Sequence, residues 1–360
     1  MAVWPKATEL AILTVNGQKY QDWESVTVRH AHYQAPYFTF RFTCSEGMPL
    51  AKNWAAMRIR PGDACTITLA GQLAFAGLVH TRQVYYDNRR HYIEIQGASN
   101  VLILSYSNVA HKTGEENNIT YEQYARKLLS PHKINLVVEG GTLPQIKIPR
   151  LSTSPGTTVM EALEIALRPL GGFPITSNVN SDFVVIAGKS GGADTVTEGR
   201  DILEGREIIY NPGMALGIAS SGQAPGGDQK HGAEVAQMFS KNTGESVVSQ
   251  FVPQNIPLEI PSFSKEMLTG RGNADRDWQN EDYITVFVTV QGWLRPGGGG
   301  LWYRNQQVNV ISPMLIMDGD EDLHARTVTF TQDNRSGTRT VLELCNKLAM
   351  SQVAQGGTGG

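Results

Sequence analysis

The feature that most constrains the fold of this chain is a strand–turn–strand pattern that occurs twice. The segment "HTRQVYYDNRRHYIEI" runs from His80 to Ile95, and "HARTVTFTQDNRSGTRTVLEL" runs from His324 to Leu344. Each opens with His-x-Arg, continues through alternating apolar residues to Asp-Asn-Arg, and ends on apolar-Glu-apolar. Alternation with a period of two is typical of strands that bury one face. Both segments therefore predict a β-hairpin.

The agreement between the two copies extends upstream. Gly62 begins a polar turn followed by the strand-like run "ACTITL", and Asn305 begins a polar turn followed by "QVNVIS". Turn, strand, connector, strand, turn and strand recur in one order with similar spacing, which favours an internal duplication. In this alignment His80 and His324 match, which indicates a retained structural role for them and not a catalytic pair.

The residues between the two copies have a different pattern. The runs "YEQYARKLL" and "TVMEALEIAL" place apolar residues at helical spacing, and each is followed by a strand-like run. Thr120 with Gln123, and Thr158 with Glu161, fit the capping box that begins a helix. The predicted fold class is α+β and mainly β, with two similar antiparallel β-barrels and an inserted α+β module.

We expect four parts along the chain. They are a first β-barrel over 8–105, the α+β module over 106–200, a second β-barrel over 201–214 and 283–347, and a polar insertion over 215–282. The glycine-rich stretch 215–249 has no sustained apolar period and predicts little regular structure. The run "KEMLTGRGNADRDWQNED" predicts a polar helix within the insertion, which we expect to associate with the α+β module.

Composition narrows the classes of function. The formal net charge of −3 gives no electrostatic reason to expect tight nucleic-acid binding, which needs a basic face. The cysteines Cys44, Cys65 and Cys345 form no Cys-x-x-Cys motif, and Cys44 and Cys65 lie in alternating patterns typical of buried strands. The sequence has no signal-peptide pattern and no apolar run of membrane length. We therefore expect synthesis in a cytoplasm and no membrane insertion.

The motifs that carry chemistry are incomplete or missing. "AGKSGG" ends like a phosphate-binding loop, but Phe183 stands where that pattern needs glycine. "DGDED" resembles the start of a calcium loop, but Leu323 and Thr329 replace its required glycine and glutamate. The sequence has no Gly-x-Ser-x-Gly and no His-Glu-x-x-His motif. We expect no catalytic residue, no cofactor and no metal.

Three sets of segments carry a resemblance to a known family. The first is "RPGDACTITLAGQLAFAGLVHTRQVYY" with "YIEIQG", the second is the helix pair, and the third is "VTVQGWLRPGGGGLWYRNQQVNV" with "VTFTQDNRSGTRTVLEL". Together they resemble the baseplate hub proteins of contractile-tailed phages, in particular the gene-P-type hub of Mu-like phages. The hub segment of type VI secretion spike proteins is similar.

This resemblance implies a structural and non-enzymatic role. It implies a homotrimer that joins the sixfold tail tube, or distal tube proteins, to the threefold central spike. Other baseplate proteins are further partners, and DNA passes through the lumen without specific binding. The implied location is the virion tail baseplate, after synthesis in the bacterial host cytoplasm.

Two other functions remain open from the sequence. One is a cell-wall-degrading tail enzyme, and the other is a carbohydrate-binding adhesin in which Trp293 and Trp302 stack on sugars. Both tryptophans flank a glycine-run hairpin that includes Gly297 and Gly298. Packing within the chain, or contact with a subunit, explains these residues equally well. We take Trp293, Trp302, Gly297 and Gly298 as candidate contacts with a subunit or partner.

Overall fold

The computed structural model is mainly β, as predicted. It describes residues 9–346 except 22, 33–36, 46–58, 89–90, 111–113, 189, 211–216, 223–225, 227, 229–230, 233–234, 236–237, 244–252, 258–264, 282, 320 and 322.

The first part of the chain consists of strands that alternate between buried and exposed positions. They are β1 (Ala11–Val15), β2 (Gln18–Tyr20), β3 (Ser25–Ala31), β4 (Phe38–Ser45), β5 (Ala64–Leu69), β6 (Gln72–Tyr86) and β7 (His91–Ala98). Asn16 and Gly17 have φ values of 51° and 80° in the turn between β1 and β2, because a tight hairpin turn needs positive φ there. In β4, Phe40 and Phe42 are buried while Arg41 between them is exposed.

The middle of the chain contains two short helices and small sheets. Its elements are β8 (Glu115–Thr120), α1 (Tyr121–Leu129), β9 (Leu136–Glu139), β10 (Lys147–Ser152), α2 (Val159–Leu167), β11 (Ile175–Ser177) and β12 (Phe183–Ile186). Thr120 and Gln123 form the predicted capping box, and the Thr158 hydroxyl accepts from the backbone N–H of Glu161. β9 and β12 pair in parallel, and β11 pairs antiparallel with β12.

The last part of the chain returns to strands around one longer helix. Its elements are β13 (Ser190–Thr197), β14 (Ile202–Ile209), β15 (Gly217–Gly222), β16 (Met238–Thr243), β17 (Pro253–Pro257), α3 (Lys265–Glu281), β18 (Ile284–Gln291), β19 (Gln306–Ser312), β20 (Met317–Asp318), β21 (Leu323–Asp333) and β22 (Gly337–Asn346). Short 3-10 helices occur at Asn100–Ser105, Ser130–His132, Arg168–Leu170, Pro296–Gly298 and Pro313–Leu315.

The stretch 215–249 contains more regular structure than its sequence predicts. β15 and β16 lie within it and, with β17, form a three-stranded sheet in the order β16–β15–β17. The predicted polar helix is present as α3 and packs against β15 and β16. A Cβ atom at Gly270 of α3 would lie 3.1 Å from the Pro169 carbonyl oxygen, so this helix also touches the α+β part closely. These strands therefore lie against α3, although their sequence has no sustained apolar period.

The two strand-rich parts share one sheet. Its main path runs β14–β18–β22–β21–β3–β4–β7–β6–β5–β1–β2, with β13, β19 and β20 attached through β21. β21 is long enough to pair with β19 at its start and with β3 afterwards, from Thr327 opposite Ala31 to Asp333 opposite Ser25. This path is open, and no closed barrel is found among the described strands. The prediction of two similar β-barrels is to that extent not confirmed.

One strand order nevertheless occurs in both parts of the sheet. The first part has the spatial order β3–β4–β7–β6–β5–β1, and the last part has β14–β18–β22–β21–β19–β13. Numbered along the chain within each set, these two orders are the same. The one difference in direction is that β13 and β19 are parallel whereas β1 and β5 are antiparallel.

The sequence alignment of His80 with His324 does not agree with the alignment that the strand pairing gives. His80 is exposed and lies where the β6–β7 register shifts, between Val79 and Thr81. The corresponding shift in β21 falls at Arg326, and His324 is fully buried. The two copies are therefore displaced by two residues relative to the sequence alignment, which keeps the same face of each strand inward.

Candidate assembly surfaces

Arg304 connects three parts of the fold from a buried position. Its guanidinium donates to both carboxylate oxygens of Glu139 in β9, at 2.8 and 3.1 Å, and to the carbonyl of Ser177 in β11 at 3.1 Å. The same group lies 5.7 Å from the ring centre of Phe38 in β4. Because a guanidinium can donate several hydrogen bonds and also lie over an aromatic ring, Arg304 fixes the hairpin after β18 against the other two parts.

The tryptophans of the glycine-run hairpin are buried inside the chain. Trp293 and Trp302 are each 1% exposed, and the indole N–H of Trp293 donates to the Thr331 carbonyl at 3.2 Å. Gly297 and Gly298 are exposed at the tip, with φ values of 70° and 77° that favour glycine. Packing explains the two indole rings, and neither is at the surface of this chain to stack on a sugar. Contact with a subunit or partner remains a prediction for Gly297 and Gly298 at the tip.

A cleft of about 480 Å³ lies beside this hairpin. Its charged lining includes Arg295, Arg304 and Glu139. Arg295 pairs with Asp194 at 3.2 Å and lies 5.3 Å from the ring centre of Tyr303. Because each of these cations already has a carboxylate partner, the arrangement holds elements together and offers no unneutralised charge to a ligand.

His30 lines the same cleft from β3. Its ring stacks on Phe38 with a centroid distance of 3.9 Å, and its Nε2 contacts the Ala74 carbonyl at 2.8 Å. Burial lowers the pKa of His30 to about 3 and outweighs the hydrogen bond to Ala74, which acts in the opposite direction. The ring is therefore a neutral packing element at physiological pH and not a proton carrier.

A second buried cluster brings a thiol, a carboxyl and an imidazole together. The Cys345 Sγ lies 3.2 Å from Glu281 Oε1, and His32 Nε2 lies 3.9 Å from the same oxygen. Burial raises the pKa of the Cys345 thiol well above its usual value and lowers that of His32. A nucleophilic cysteine needs the opposite shift and access to solvent. The cluster therefore joins the end of α3 to β22 and to the segment after β3.

The remaining candidates from the sequence are two cysteines, the "AGKSGG" segment and possible metal ligands. Cys44 and Cys65 are buried, as predicted, and burial raises the pKa of both thiols, that of Cys65 to about 12. Ser190 of the "AGKSGG" segment begins β13, whereas a phosphate-binding loop leads into a helix. Within the described residues, no group of His, Cys, Asp or Glu side chains is arranged to hold a metal ion.

Two strand edges are the features that sequence reasoning missed. β5 covers one edge of β6 only as far as Leu78, and β14 is paired with β18 along one edge. Gly62 and Asp63 continue this cover to Val79 through backbone hydrogen bonds, and Ile202 of β14 forms an isolated bridge with Glu198. Among the described strands, none pairs with β6 after Val79 along this edge or with β14 opposite β18. Two properties of the sequence could have indicated these edges: the length of β6 and the apolar residues in both strands.

Comparison with known proteins agrees with the resemblance seen in the sequence. Residues 11–99 match the family model described as "Mu phage baseplate assembly protein GpP-like, N-terminal". The chain is 24% identical over 341 residues to the baseplate hub protein gp44 of Escherichia phage Mu, covering 92% of this chain and 86% of that protein.

Solved structures share the fold. The 43 kDa tail protein of prophage MuSo2 from Shewanella oneidensis superposes with a TM-score of 0.78 at 21% identity, over 95% of this chain and 100% of that one. The c3393 protein of E. coli, a component of the type VI secretion system, gives a TM-score of 0.59 at 8% identity, over 93% and 76% of the two chains.

These similarities define the class of protein that the chain resembles, the baseplate hub proteins of contractile-tailed phages. Within that class, one relative that the sequence matches is the baseplate hub protein gp44 of Escherichia phage Mu. The predicted resemblance is therefore confirmed. None of the described helices is long and apolar enough to cross a membrane.

Proposed function

We propose that this chain is the structural hub of a contractile tail baseplate, or of a tail-like injection machine. In this role it forms a homotrimer that joins the sixfold tail tube to the threefold central spike. The observation that carries the proposal is the strand order that occurs twice in the sheet. Three chains with two equivalent modules each present six modules to the tube and three chains to the spike.

The two modules are proposed to derive from an internal duplication. The first corresponds to residues 8–105, and the second to 201–214 with 283–347. The α+β module of 106–200 and the insertion of 215–282 then lie outside the repeated unit. The contacts of Arg304 with Glu139 and Phe38 support a fixed arrangement of these parts, as an adaptor under mechanical load requires.

The proposed location is the tail baseplate of the virion. Partners there are the tail tube or distal tube proteins, the central spike and other baseplate proteins. DNA passes through the lumen without specific binding. The formal net charge of −3 supports this passage, because a strongly basic wall would hold DNA through counterion release.

The proposal treats the chain as non-enzymatic. The raised pKa of buried Cys345 and the ion pairs of the cleft support this role over a cell-wall hydrolase. The burial of Trp293 and Trp302 removes the surface aromatics on which a sugar-binding role was based. Purified protein is expected to leave a peptidoglycan suspension turbid and to bind no glycan on an array.

Two measurements test the hub role. Light scattering coupled to size exclusion should give three times the mass of one chain. Electron microscopy of tails containing the tagged protein should place it where tube and spike meet, with six similar lobes on the tube side. A different stoichiometry, or a position on the tail fibres, contradicts the proposal.

A further inference from the structure

The cleft beside the glycine-run hairpin is formed by three parts of the fold together. Its volume is about 480 Å³, and its lining comes from β3, β4 and the start of β6, from β9 and the segment between β11 and β12, and from the hairpin after β18. Ligand-binding clefts in proteins measure about 300–1,000 Å³. The cleft therefore has room for an apolar side chain together with the peptide groups on either side of it.

Part of the cleft wall is apolar. The residues that contribute to this part are Phe38, Leu73, Val179, Leu301 and Trp302. Leu73 keeps 38% of its surface exposed to water in the chain alone. Because burial of apolar surface is favourable, an apolar group that covered Leu73 and entered the cleft would be stabilised there.

The charged groups of the cleft neutralise one another. Arg295 pairs with Asp194 at 3.2 Å, and Arg304 pairs with Glu139 at 2.8 Å. Burial lowers the pKa of His30 to about 3, so its ring carries no charge at neutral pH. An ionised ligand would lose its hydration without gaining an unpaired counter-charge, which is unfavourable. The cleft therefore favours an uncharged ligand.

Two N–H donors of the cleft residues lack an acceptor. Trp302 is 1% exposed, and within the described residues neither its indole N–H nor the Nε–H of Arg295 has a hydrogen-bond partner. The indole N–H of Trp293, in the same hairpin, shows the usual arrangement by donating to the Thr331 carbonyl at 3.2 Å. Buried N–H groups in proteins nearly always have an acceptor. The two donors therefore indicate that a bound group supplies one.

The lining also contains an acceptor. His30 Nε2 lies 2.8 Å from the Ala74 carbonyl oxygen, and because a carbonyl can only accept, Nε2 carries the proton of the neutral ring. The other ring nitrogen, Nδ1, is then an acceptor. A peptide group carries one N–H and one C=O without net charge, so it matches a lining that has both donors and an acceptor.

The glycine run connects the cleft with the exposed tip of the hairpin. Gly299 and Gly300 line the cleft, and they directly follow the exposed residues Gly297 and Gly298. A Cβ atom at Gly300 would lie 3.3 Å from Gln72 Oε1, and φ at Gly300 is 93°, so glycine is favoured there. A partner that contacts the tip is therefore next to the cleft.

We propose that the cleft binds a segment of a partner protein. The segment inserts one aliphatic side chain into the cleft and presents a backbone carbonyl to the indole N–H of Trp302. Its chemistry is that of an uncharged aliphatic residue with intact peptide groups on both sides. The site goes beyond the hub role and does not depend on it, because all of its residues come from one chain.

Fluorine NMR of the full chain labelled with fluorotryptophan tests the site directly. The chain has six tryptophans, and the variants Trp302→Phe and Trp293→Phe assign two of the resonances. N-acetyl-leucinamide is the probe, since it has one aliphatic side chain between two peptide groups. The Trp302 resonance should shift saturably, and the Trp293 resonance should not. A Trp302 resonance that stays fixed, as expected if water alone occupies the cleft, would overturn the proposal.

Two related probes test the chemistry of the occupant. N-acetyl-leucine has a carboxylate in place of the terminal amide and should bind several-fold more weakly, because both arginines of the cleft are already paired. N-acetyl-glycinamide keeps the peptide groups without the side chain and should also bind more weakly. Equal or tighter binding of the acid would refute an uncharged occupant. Equal binding of the glycine compound would refute the inserted side chain.

Val179→Phe tests the location. Val179 is half-buried and lines the cleft, so the larger ring should fill the space and abolish the shift of the Trp302 resonance. Ile103→Phe is the matched control, because Ile103 is 45% exposed and is not part of the lining. Both variants should keep the wild-type unfolding temperature. Undiminished binding of the probe by folded Val179→Phe contradicts the site.

Trp302→Phe gives a second test that does not need the filled cleft. Saturation transfer from the protein to N-acetyl-leucinamide should show binding weakened several-fold, because the indole donor is lost, whereas Trp293→Phe should bind as the wild type does. Unchanged binding by Trp302→Phe refutes the role of that donor. A trimeric hub that does not bind the probe refutes this site alone, and a monomer that binds the probe refutes the trimer alone.

Discussion

Arg304 and Glu139 form a two-pronged salt bridge across the junction between the hairpin after β18 and the α+β part, with N–O distances of 2.8 and 3.1 Å. The Arg304 side chain is 6% exposed and that of Glu139 is 29% exposed. Removing one member of a buried pair leaves the other without its counter-charge, whereas pairs at the surface contribute little.

Arg304→Met is therefore expected to lower the free energy of unfolding by about 2–4 kcal/mol. Denaturant unfolding followed by circular dichroism measures this change. Arg200→Met is the control, because Arg200 pairs with Asp201 from a side chain that is 66% exposed, so its loss should lower stability clearly less. Equal losses in the two variants would show that the Arg304 pair does not hold the junction.

Acid should destabilise the protein through His30. Its pKa is about 3 in the folded state, against about 6.5 in an unfolded chain. As the pH falls below about 6.5, His30 binds a proton in the unfolded state but stays neutral in the folded state. The free energy of unfolding therefore decreases between about pH 6.5 and 3. The slope from this ring is at most about 1.4 kcal/mol per pH unit.

His30→Gln should show a flatter decline over this pH range, although its stability at pH 7.5 is lower. Urea midpoints measured from pH 7.5 to 4.5 give the comparison. His80→Gln, at an exposed position, should keep the wild-type slope. If all three proteins lose stability in parallel, the acid sensitivity originates elsewhere.

Gly97 allows a close approach between β7 and β6. A Cβ atom there would lie 2.3 Å from the Leu78 carbonyl oxygen and 2.4 Å from a ring carbon of Phe40. Gly97→Ala should therefore destabilise the fold by about 1–3 kcal/mol, because backbone and ring must both move. Gly192→Ala, with nothing within 4 Å of the added atom, should change stability by less than about 0.5 kcal/mol. The unfolding temperatures of the two variants measure this difference, and equal temperatures would contradict the close approach at Gly97.

The buried thiols should be chemically silent in the native protein. Cys44, Cys65 and Cys345 are buried, and burial raises the pKa of each thiol. A colorimetric thiol reagent at pH 8 is expected to react with none of them until denaturant is added, and then with all three. One thiol that reacts rapidly in the native state would reopen the case for a nucleophile at Cys345.

Local features of the fold were predictable from neighbouring residues. The two alternating segments with Asp-Asn-Arg predicted the β6–β7 and β21–β22 hairpins, and Thr120 with Gln123 predicted the start of α1. Each depends on residues within a few positions of one another, where turn and capping chemistry decide the conformation.

Features that depend on distant residues were not predictable in the same way. The continuity of β3 with β21 depends on pairing partners about 300 residues apart, and no local pattern encodes it. The strands β15 and β16 lie against α3, which is distant from them in the sequence. The burial of Trp293 and Trp302 likewise depends on tertiary contacts, and a glycine-run hairpin by itself favours exposed neighbours equally well.

The pairing of β3 with β21 has a consequence for biosynthesis. β3 leaves the ribosome early, and its partner strand is made about 300 residues later. At a translation rate of about 5–20 residues per second, the nascent chain carries the unpaired edge of β3 for about 15–60 s. During this time the edge is open to non-native pairing with other chains, as unprotected strand edges are. Yield in the host should therefore depend on molecular chaperones at the ribosome more than on the stability of the finished protein.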